Sequence, residues 1–323
     1  MHAVAVTTRA LFGSDLDASQ AAEVNASILQ AFGYFSDRLR GLPIPEWLPT
    51  PDNERFRASV ARLDAAVFSI IAARRRSAAS GDVGAGGDLL GRLMAAREDT
   101  HAGDSVDEDR MDDKSLRDEL MTLLVAGQET AAATLSWACM WLAARPHLQE
   151  GIATEVSAVC GDRPPGAEDA PRLHVVTAVI LETLRLTPPA YIVGRCAAED
   201  VALGPYVVRA GTTVLVSPYL LQRAARHWPR PTEFDHTRWL DERGHADAAD
   251  ALRGMGSRGA YIPFGAGPRN CIGASFAMIE MVLLLAALSK AVRWEPLAGD
   301  APPAGTARIT LRPEFARLRI VRR

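Results

Sequence analysis

Apolar side chains recur at steps of three and four residues in two early stretches of the chain, which is the spacing of one face of an α-helix. This pattern predicts helices over residues 24–39 and 56–76. Prolines at positions 43, 45, 49 and 51 interrupt any regular structure between them, so a loop joins the two helices.

The longest helical pattern runs from Lys114 to Ala144 and is apolar on most faces in its second half. A helix of this kind is usually buried, so we expect it to cross the centre of the molecule before Pro146 stops it. Further helices are predicted over residues 148–159 and 173–186, the second ended by two prolines.

β-branched and aromatic residues then cluster in short segments separated by glycines, which favours strands with tight turns. These segments cover residues 191–193, 207–208 and 212–216. An irregular stretch is expected up to Asn270, followed by an apolar helix to about Leu288. Alternation around Ile309–Leu311 and Leu318–Val321 predicts a small terminal hairpin. The expected fold class is mainly α with small β-sheets.

Composition narrows the class of protein. The 323 residues carry a net charge of −3, and no basic run interleaves with aromatic residues, which argues against nucleic acid as a partner. Four widely spaced cysteines form no C-x-x-C pair, so a disulfide framework is not indicated and a cytoplasmic location fits. No signal peptide is evident, and the longest nearly uncharged apolar run, Thr130–Ala144, is shorter than a membrane span of about 20 residues. We therefore expect no membrane anchor in this chain.

The strongest chemical signal is a glycine-rich loop, residues 264–273, that delivers Cys271 to the start of a helix. Gly265 and Gly267 permit backbone angles that a β-carbon would block. Backbone N–H groups and a helix N-terminus stabilise a cysteine thiolate, which is the form that binds a metal.

Three residues near Cys271 in the sequence also suit a metal-containing cofactor bound through its thiolate. Arg269 can hold a carboxylate through two hydrogen bonds, and Gly273 lets a flat cofactor lie against the first helical turn. Phe264 is placed to shield the sulfur from water.

The ten residues Phe264–Gly273 resemble the cysteine loop of the cytochrome P450 family, F-x-x-G-x-R-x-C-x-G, at every fixed position. The resemblance implies that Cys271 is the axial ligand of the iron of haem b. In this family the thiolate pushes electron density to the iron and favours O–O cleavage. The same resemblance implies that Phe264, Gly265, Gly267, Arg269 and Gly273 surround the haem.

A second segment, Ala126–Thr130, resembles the oxygen-binding segment A-G-x-[ED]-T of the same family. Small residues at Ala126 and Gly127 leave room for dioxygen and substrate, and the Thr130 hydroxyl can bond to a carbonyl one turn back. Glu129 and Thr130 are the candidate catalytic residues, as a proton relay. Glycine and threonine in an apolar helix are also common packing features.

Glu182 and Arg185 lie one helical turn apart and can form a bidentate ion pair. Composition alone predicts about two such E-x-x-R matches, and the spacing recurs at Glu54/Arg57 and Glu314/Arg317. Only Glu182 and Arg185 lie where the cytochrome P450 family has this motif, on the helix before the double proline.

Arg238 resembles the family's later arginine in F-x-P-x-R-F, so Glu182, Arg185 and Arg238 resemble its structural triad. Here Trp239 stands in place of the phenylalanine and His236 in place of the proline. Arg195 resembles an arginine that binds a haem propionate; a solvated strand arginine is the alternative interpretation.

Taken over nearly the whole chain, the resemblance implies one cytochrome P450 domain over residues 1–323, with a central helix over 113–145 and the cysteine loop over 264–273. The family usually places well over a hundred residues before a segment like Leu11–Asp15, so we expect a P450 fold that lacks its N-terminal helices. The implied activity is insertion of one oxygen atom from dioxygen into a small organic substrate. Electrons would come from NAD(P)H through a separate ferredoxin, flavodoxin or reductase.

Two alternatives stay open. The chain is a truncated haem-binding remnant without catalysis, or it is a haem-thiolate peroxygenase that uses peroxide. Glu129 and Thr130 favour dioxygen over peroxide, and activity with peroxide but none with dioxygen and a redox partner would favour the peroxygenase.

Overall fold

A computed structural model of the protein describes residues 8–9, 12–13, 17–41, 44–79, 88–95, 111–257, 260–297, 305–314 and 317–323. The fold is mainly α-helical with small antiparallel sheets, as the sequence predicts. The chain divides into two compact units, residues 1–129 and 130–323, and the boundary falls inside the longest helix. The description as one domain stays a prediction.

The first unit is built on three helices at the predicted places and on one short helix that the sequence analysis does not predict. They are α1 (Ala18–Arg40), α2 (Pro51–Ala79), the short helix α3 (Leu89–Ala95) and the first half of α4 (Asp113–Ala143). Asp17 begins α1 because its carboxylate accepts the backbone N–H groups of Ser19 and Gln20. The apolar stripes of these helices form one buried cluster, which includes Val24, Ile28, Leu63, Val67, Leu90, Leu120 and Leu124.

The second unit holds the remaining helices. They are α5 (Pro146–Cys160), α6 (His174–Leu186), the single turn α7 (Pro218–Leu221), α8 (Ala248–Ser257) and α9 (Ala274–Ala291). Every residue of α6 from Val176 onwards is buried. A core cluster, formed around α5, α6 and α9, surrounds it.

The stretch expected to be irregular up to Asn270 is partly regular. It contains α7, α8 and short 3-10 turns over His236–Trp239 and Gly267–Arg269. α7 and the 3-10 turns are about one turn long, too short for the apolar periodicity of a helix to show in the sequence, whereas α8 has ten residues with an amphipathic pattern that the sequence analysis overlooks.

Helix α9 is the one helix of the described ranges that is long and apolar enough to cross a membrane by length and composition. It packs against α5 and α6, and Met281, Leu285 and Ala286 are among its buried residues. The core helix of a protein without membrane spans passes the same test, so this finding is weak evidence for a membrane.

The described residues of the second unit also form four pairs of antiparallel strands. The strands are β1 (Val193–Cys196), β2 (Val201–Leu203), β3 (Tyr206–Val208), β4 (Thr213–Val216), β5 (Val292–Pro296), β6 (Gly305–Ala307), β7 (Leu311–Pro313) and β8 (Leu318–Arg322). β1 pairs with β4 and β2 with β3.

The predicted terminal hairpin is wrong in its pairing. β8 pairs with β5, so that Trp294 lies opposite Ile320, and β7 pairs with β6 instead. A β-carbon at Gly305 would stand 3.0 Å from the Leu311 side chain and 3.4 Å from that of Trp137. The absence of a side chain at Gly305 therefore lets β6 lie close to Leu311 and Trp137. The alternation of apolar and polar residues in the tail does not reveal this close contact.

The two strand pairs of residues 191–217 differ from the rest of the unit in burial. None of the side chains in this range is buried. Seven of their large apolar side chains are between 41% and 72% exposed: Ile192, Val201, Leu203, Tyr206, Val207, Leu215 and Val216. We call this range the open strand region.

Candidate functional site

The loop that carries Cys271 is shaped by two glycines with left-handed backbones. Gly265 has a φ of 79° and Gly267 a φ of 76°, conformations that other residues adopt only with strain. The backbone N–H of Cys271 donates to the carbonyl of Phe264 at 2.8 Å and so closes the loop. This closure leaves the Cys271 side chain exposed.

Cys271 differs from two of the other cysteines in its surroundings. Burial raises the pKa of the Cys139 thiol to about 12, and burial also raises the pKa of the Cys160 thiol. Neither is suited to act as a thiolate. Cys196 is exposed on β1, but it lies in a regular strand without a glycine loop.

The surface beside Cys271 suits a flat apolar ligand. Ile272 follows the cysteine and is 91% exposed, a large apolar area for a single side chain. A β-carbon at Gly273 would lie 3.9 Å from the Cys271 sulfur, in van der Waals contact, so the glycine leaves that place beside the sulfur without a side chain. Gly273 is also the N-cap of α9, which begins at Ala274. The sulfur therefore lies just before a helix N-terminus, where an anion is favoured.

The loop is anchored at its start by residues that the sequence analysis does not single out. Gln222 is fully buried; its amide nitrogen donates to the carbonyls of Leu184 and Arg185, and its amide oxygen accepts the N–H of Ile262 at 2.9 Å. The Tyr261 hydroxyl donates to the carbonyl of Leu181 at 2.9 Å. Helix α6 thus fixes the backbone that leads into the cysteine loop.

The two candidate propionate arginines are placed differently. Arg269 is exposed in the 3-10 turn just before the cysteine. Arg195 is exposed on β1, opposite Val214, and its Nη1 donates to the carbonyl of Gly194 at 2.8 Å. Both guanidinium groups are accessible to a carboxylate from outside the chain.

The oxygen-binding candidate Ala126–Thr130 lies in the middle of α4, which is helical throughout this segment. Ala126 is exposed, and Gly127, Glu129 and Thr130 are half-buried. One turn on, the Thr134 hydroxyl donates to the carbonyl of Thr130 at 3.0 Å. A hydroxyl that shares a helix carbonyl in this way can bend the helix locally.

Glu182, Arg185 and Arg238 are brought together in the structure. Arg185 donates to both carboxylate oxygens of Glu182 at 2.8 Å, and both side chains are fully buried. The Nε of Arg238 lies 3.5 Å from the Glu182 carboxylate. The other two E-x-x-R matches differ, because Glu54 and Arg57 are exposed, as is Arg317.

The comparisons with known proteins show the family of this chain. The family model described as Cytochrome P450 matches residues 3–318. The chain is 36% identical over 295 residues to cyclooctatin synthase of Streptomyces melanosporofaciens, a match covering 91% of this chain and 60% of that protein. It is 34% identical over 278 residues to pentalenene oxygenase of Streptomyces avermitilis, covering 85% and 57%.

A solved structure of a zebra fish cytochrome P450 with abiraterone matches with a TM-score of 0.75 at 25% identity, covering 99% of this chain and 70% of that one. The mainly helical fold and the family match together define the class of the chain, a haem protein. The chain belongs to the cytochrome P450 family. It spans about 60% of the length of the curated relatives named above.

Proposed function

We propose that this chain supplies the haem-binding part of a monooxygenase that inserts one oxygen atom from dioxygen into a small organic substrate. The observation that carries the proposal is the Cys271 loop, in which two left-handed glycines hold an exposed thiol before the N-terminus of an apolar helix. Family membership implies a haem cofactor. We infer that it is haem b, since the loop matches the family's pattern for thiolate ligation.

The residues around the loop fit such a group. The Cys271 thiolate would hold the iron, and exposed Ile272 offers an apolar surface beside it. Arg269 and Arg195 would each pair with a propionate carboxylate. When bound, the haem supplies the activation of dioxygen, which no amino-acid side chain can perform.

The proposed role of Glu129 and Thr130 is to move protons. A half-buried threonine hydroxyl can donate a hydrogen bond and be recharged by a neighbouring group. Glu129, adjacent in the chain and also half-buried, is a carboxyl that can exchange protons with solvent. The small side chains of Ala126 and Gly127 would leave space for the substrate.

The proposed oxygenation needs two electrons, and membership of the family implies a redox partner that delivers them. We propose a ferredoxin, flavodoxin or reductase that carries electrons from NAD(P)H, and a cytoplasmic location for both partners.

The names of the relatives narrow the substrate class. One relative is named cyclooctat-9-en-7-ol 5-monooxygenase and another pentalenene oxygenase. We propose that the substrate here is likewise a compact, mostly hydrocarbon ring compound, which apolar side chains can enclose without leaving buried polar groups unpaired.

The decisive experiment is a carbon-monoxide difference spectrum of the reduced, haem-loaded protein. Cys271→Ser is expected to abolish the red-shifted band of a thiolate-ligated haem, because a serine hydroxyl is far less readily deprotonated than a thiol. Cys196→Ser removes the other exposed cysteine and is expected to leave the band unchanged. A band that survives Cys271→Ser, or one lost in Cys196→Ser, overturns the assignment.

A further inference from the structure

The carboxylate of Glu182 accepts more hydrogen bonds than an ion pair supplies. Besides the two from Arg185, the backbone N–H of Asp235 donates to Oε1 at 2.9 Å. The indole N–H of Trp239 donates to Oε2 at 3.0 Å. Glu182 is fully buried and Trp239 is 9% exposed, so these bonds form where little water competes.

Arg238 contributes less to this carboxylate than its charge suggests. Its Nε lies 3.5 Å from Glu182 Oε1 and is buried without a hydrogen-bond partner in the described ranges. Its Nη2 donates instead to the carbonyl of Arg230 at 3.0 Å. A separation of 3.5 Å allows attraction between charges but not a well-formed hydrogen bond. The side-chain hydrogen bond that Glu182 receives from the segment 234–239 therefore comes from Trp239 and not from Arg238. The family pattern has a phenylalanine at the position of Trp239, and phenylalanine has no N–H to donate.

The Trp239 ring also reaches the segment that supports the cysteine loop. It packs on the ring of Tyr261 with a centroid separation of 4.6 Å. Tyr261 is 1% exposed and tied to α6 through its hydroxyl, and the next residue, Ile262, is held by Gln222. The carbonyl of Ile262 accepts the N–H of Gly265, the first glycine of the loop.

We propose that Trp239 is a positioning residue that links Glu182 to the cysteine loop through Tyr261. The indole N–H fixes the ring against the carboxylate, and the fixed ring holds Tyr261 in place. The consequence for haem rests on the proposed role of Cys271, but the positioning itself is measurable without haem.

The test is amide hydrogen exchange on the purified 323-residue chain, comparing Trp239→Phe with the unaltered protein. Phenylalanine keeps an aromatic ring and removes the N–H. Exchange in residues 260–272 is expected to become several-fold faster, while α5 stays unchanged. Loss of global stability alone would speed the slowest amides of both regions together. Two matched variants serve as controls: Trp47→Phe, at a side chain that is 75% exposed, is expected to change nothing, and Arg238→Met to loosen residues 260–272 less than Trp239→Phe.

Unchanged exchange over residues 260–272 in Trp239→Phe overturns the proposal, as does equal or greater loosening in Arg238→Met. If Trp239→Phe does not fold, the unaltered chain labelled with ¹⁵N at tryptophan decides instead. Its Trp239 indole proton is expected well downfield of the Trp47 indole proton, as befits a donor to a carboxylate. Equal shifts overturn the hydrogen bond. Loss of the Cys271 assignment in the carbon-monoxide experiment would leave these outcomes untouched.

Discussion

At the scale of single residues, Arg185 is the largest fully buried side chain of the described ranges. Its guanidinium donates to Glu182 and to the carbonyls of Gln222, Pro231 and Glu233. It also lies 5.1 Å from the ring centre of Trp228. A buried charge is tolerated only when it is paired and its donors are satisfied, and Arg185 meets both conditions.

Arg185→Ala is therefore expected to give insoluble or haem-free protein. Removal of one partner leaves Glu182 buried without its counter-charge, which costs roughly 3–5 kcal/mol out of the ~5–15 kcal/mol that stabilises a typical domain. Soluble yield and haem-to-protein ratio measure the outcome. Arg57→Ala and Arg317→Ala, at exposed arginines with the same E-x-x-R spacing, are expected to change little. An Arg185→Ala variant that folds and binds haem like its parent contradicts a structural role for this pair.

The same residues show how far the sequence predicts the site. Spacing finds three E-x-x-R pairs, and the order of motifs selects Glu182 and Arg185, but only the fold shows that this pair is buried. The contacts of Trp239 and Gln222 with α6 join positions 37 to 57 residues apart. No local pattern predicts such contacts, because they depend on how α6 packs against the loops that follow it.

At the scale of elements, α9 contains a carboxyl group in an apolar setting. Glu280 is 6% exposed, and its Oε1 has no hydrogen-bond partner among the described residues. Burial raises the pKa of this carboxyl to about 7 from its ordinary value of 4.5. The folded protein therefore holds this proton over a pH range in which the unfolded chain releases it.

The consequence is a pH-dependent loss of stability. Both states are protonated below pH 4.5, so the penalty is absent there; it grows as pH rises through the window from 4.5 to 7, and is complete above it. Glu280→Gln is expected to raise the free energy of unfolding by on the order of 2–3 kcal/mol at pH 8 and to change it little at pH 4.5. Urea unfolding at the two pH values measures this, with Glu119→Gln, an exposed position on α4, as the control. A gain that is equal at both pH values contradicts the burial of an ionised carboxylate as the cause.

Element prediction succeeds where the signal is local. Six helices each have an apolar pattern long enough to be recognised in the sequence: α1, α2, α4, α5, α6 and α9. Strand pairing fails because it is not local: β8 pairs with β5 and not with its neighbour in sequence, β7. Gln149 of α5 holds β5 in place by hydrogen bonds to the backbone of Trp294.

At the scale of the whole molecule, the chain consists of two compact units with separate apolar clusters. The residues of the cysteine loop, α6 and Trp239 all belong to the second unit. We therefore expect the network around Glu182 to form whenever the second unit folds.

The open strand region has a colloidal consequence. Two-stranded sheets with solvated apolar faces and free edges favour self-association, because another chain can pair with the edge and remove the apolar surface from water. A net charge of −3 provides little repulsion between molecules. Solutions of this chain on its own are therefore expected to show light scattering that increases with concentration and is strongest near the pI of about 6.2.

Leu215→Lys, at a side chain that is 63% exposed on β4, is expected to lower this scattering severalfold, because it replaces an apolar side chain of the open strand region with a charged one. Phe68→Lys, at a 44% exposed position on α2, makes the same change of net charge from −3 to −2 elsewhere, and because this weakens repulsion between molecules it is expected not to lower the scattering. Equal effects of the two lysines would mean that net charge alone governs the attraction. If the strand face governs it, the second virial coefficient of the protein depends chiefly on one small patch of β-structure.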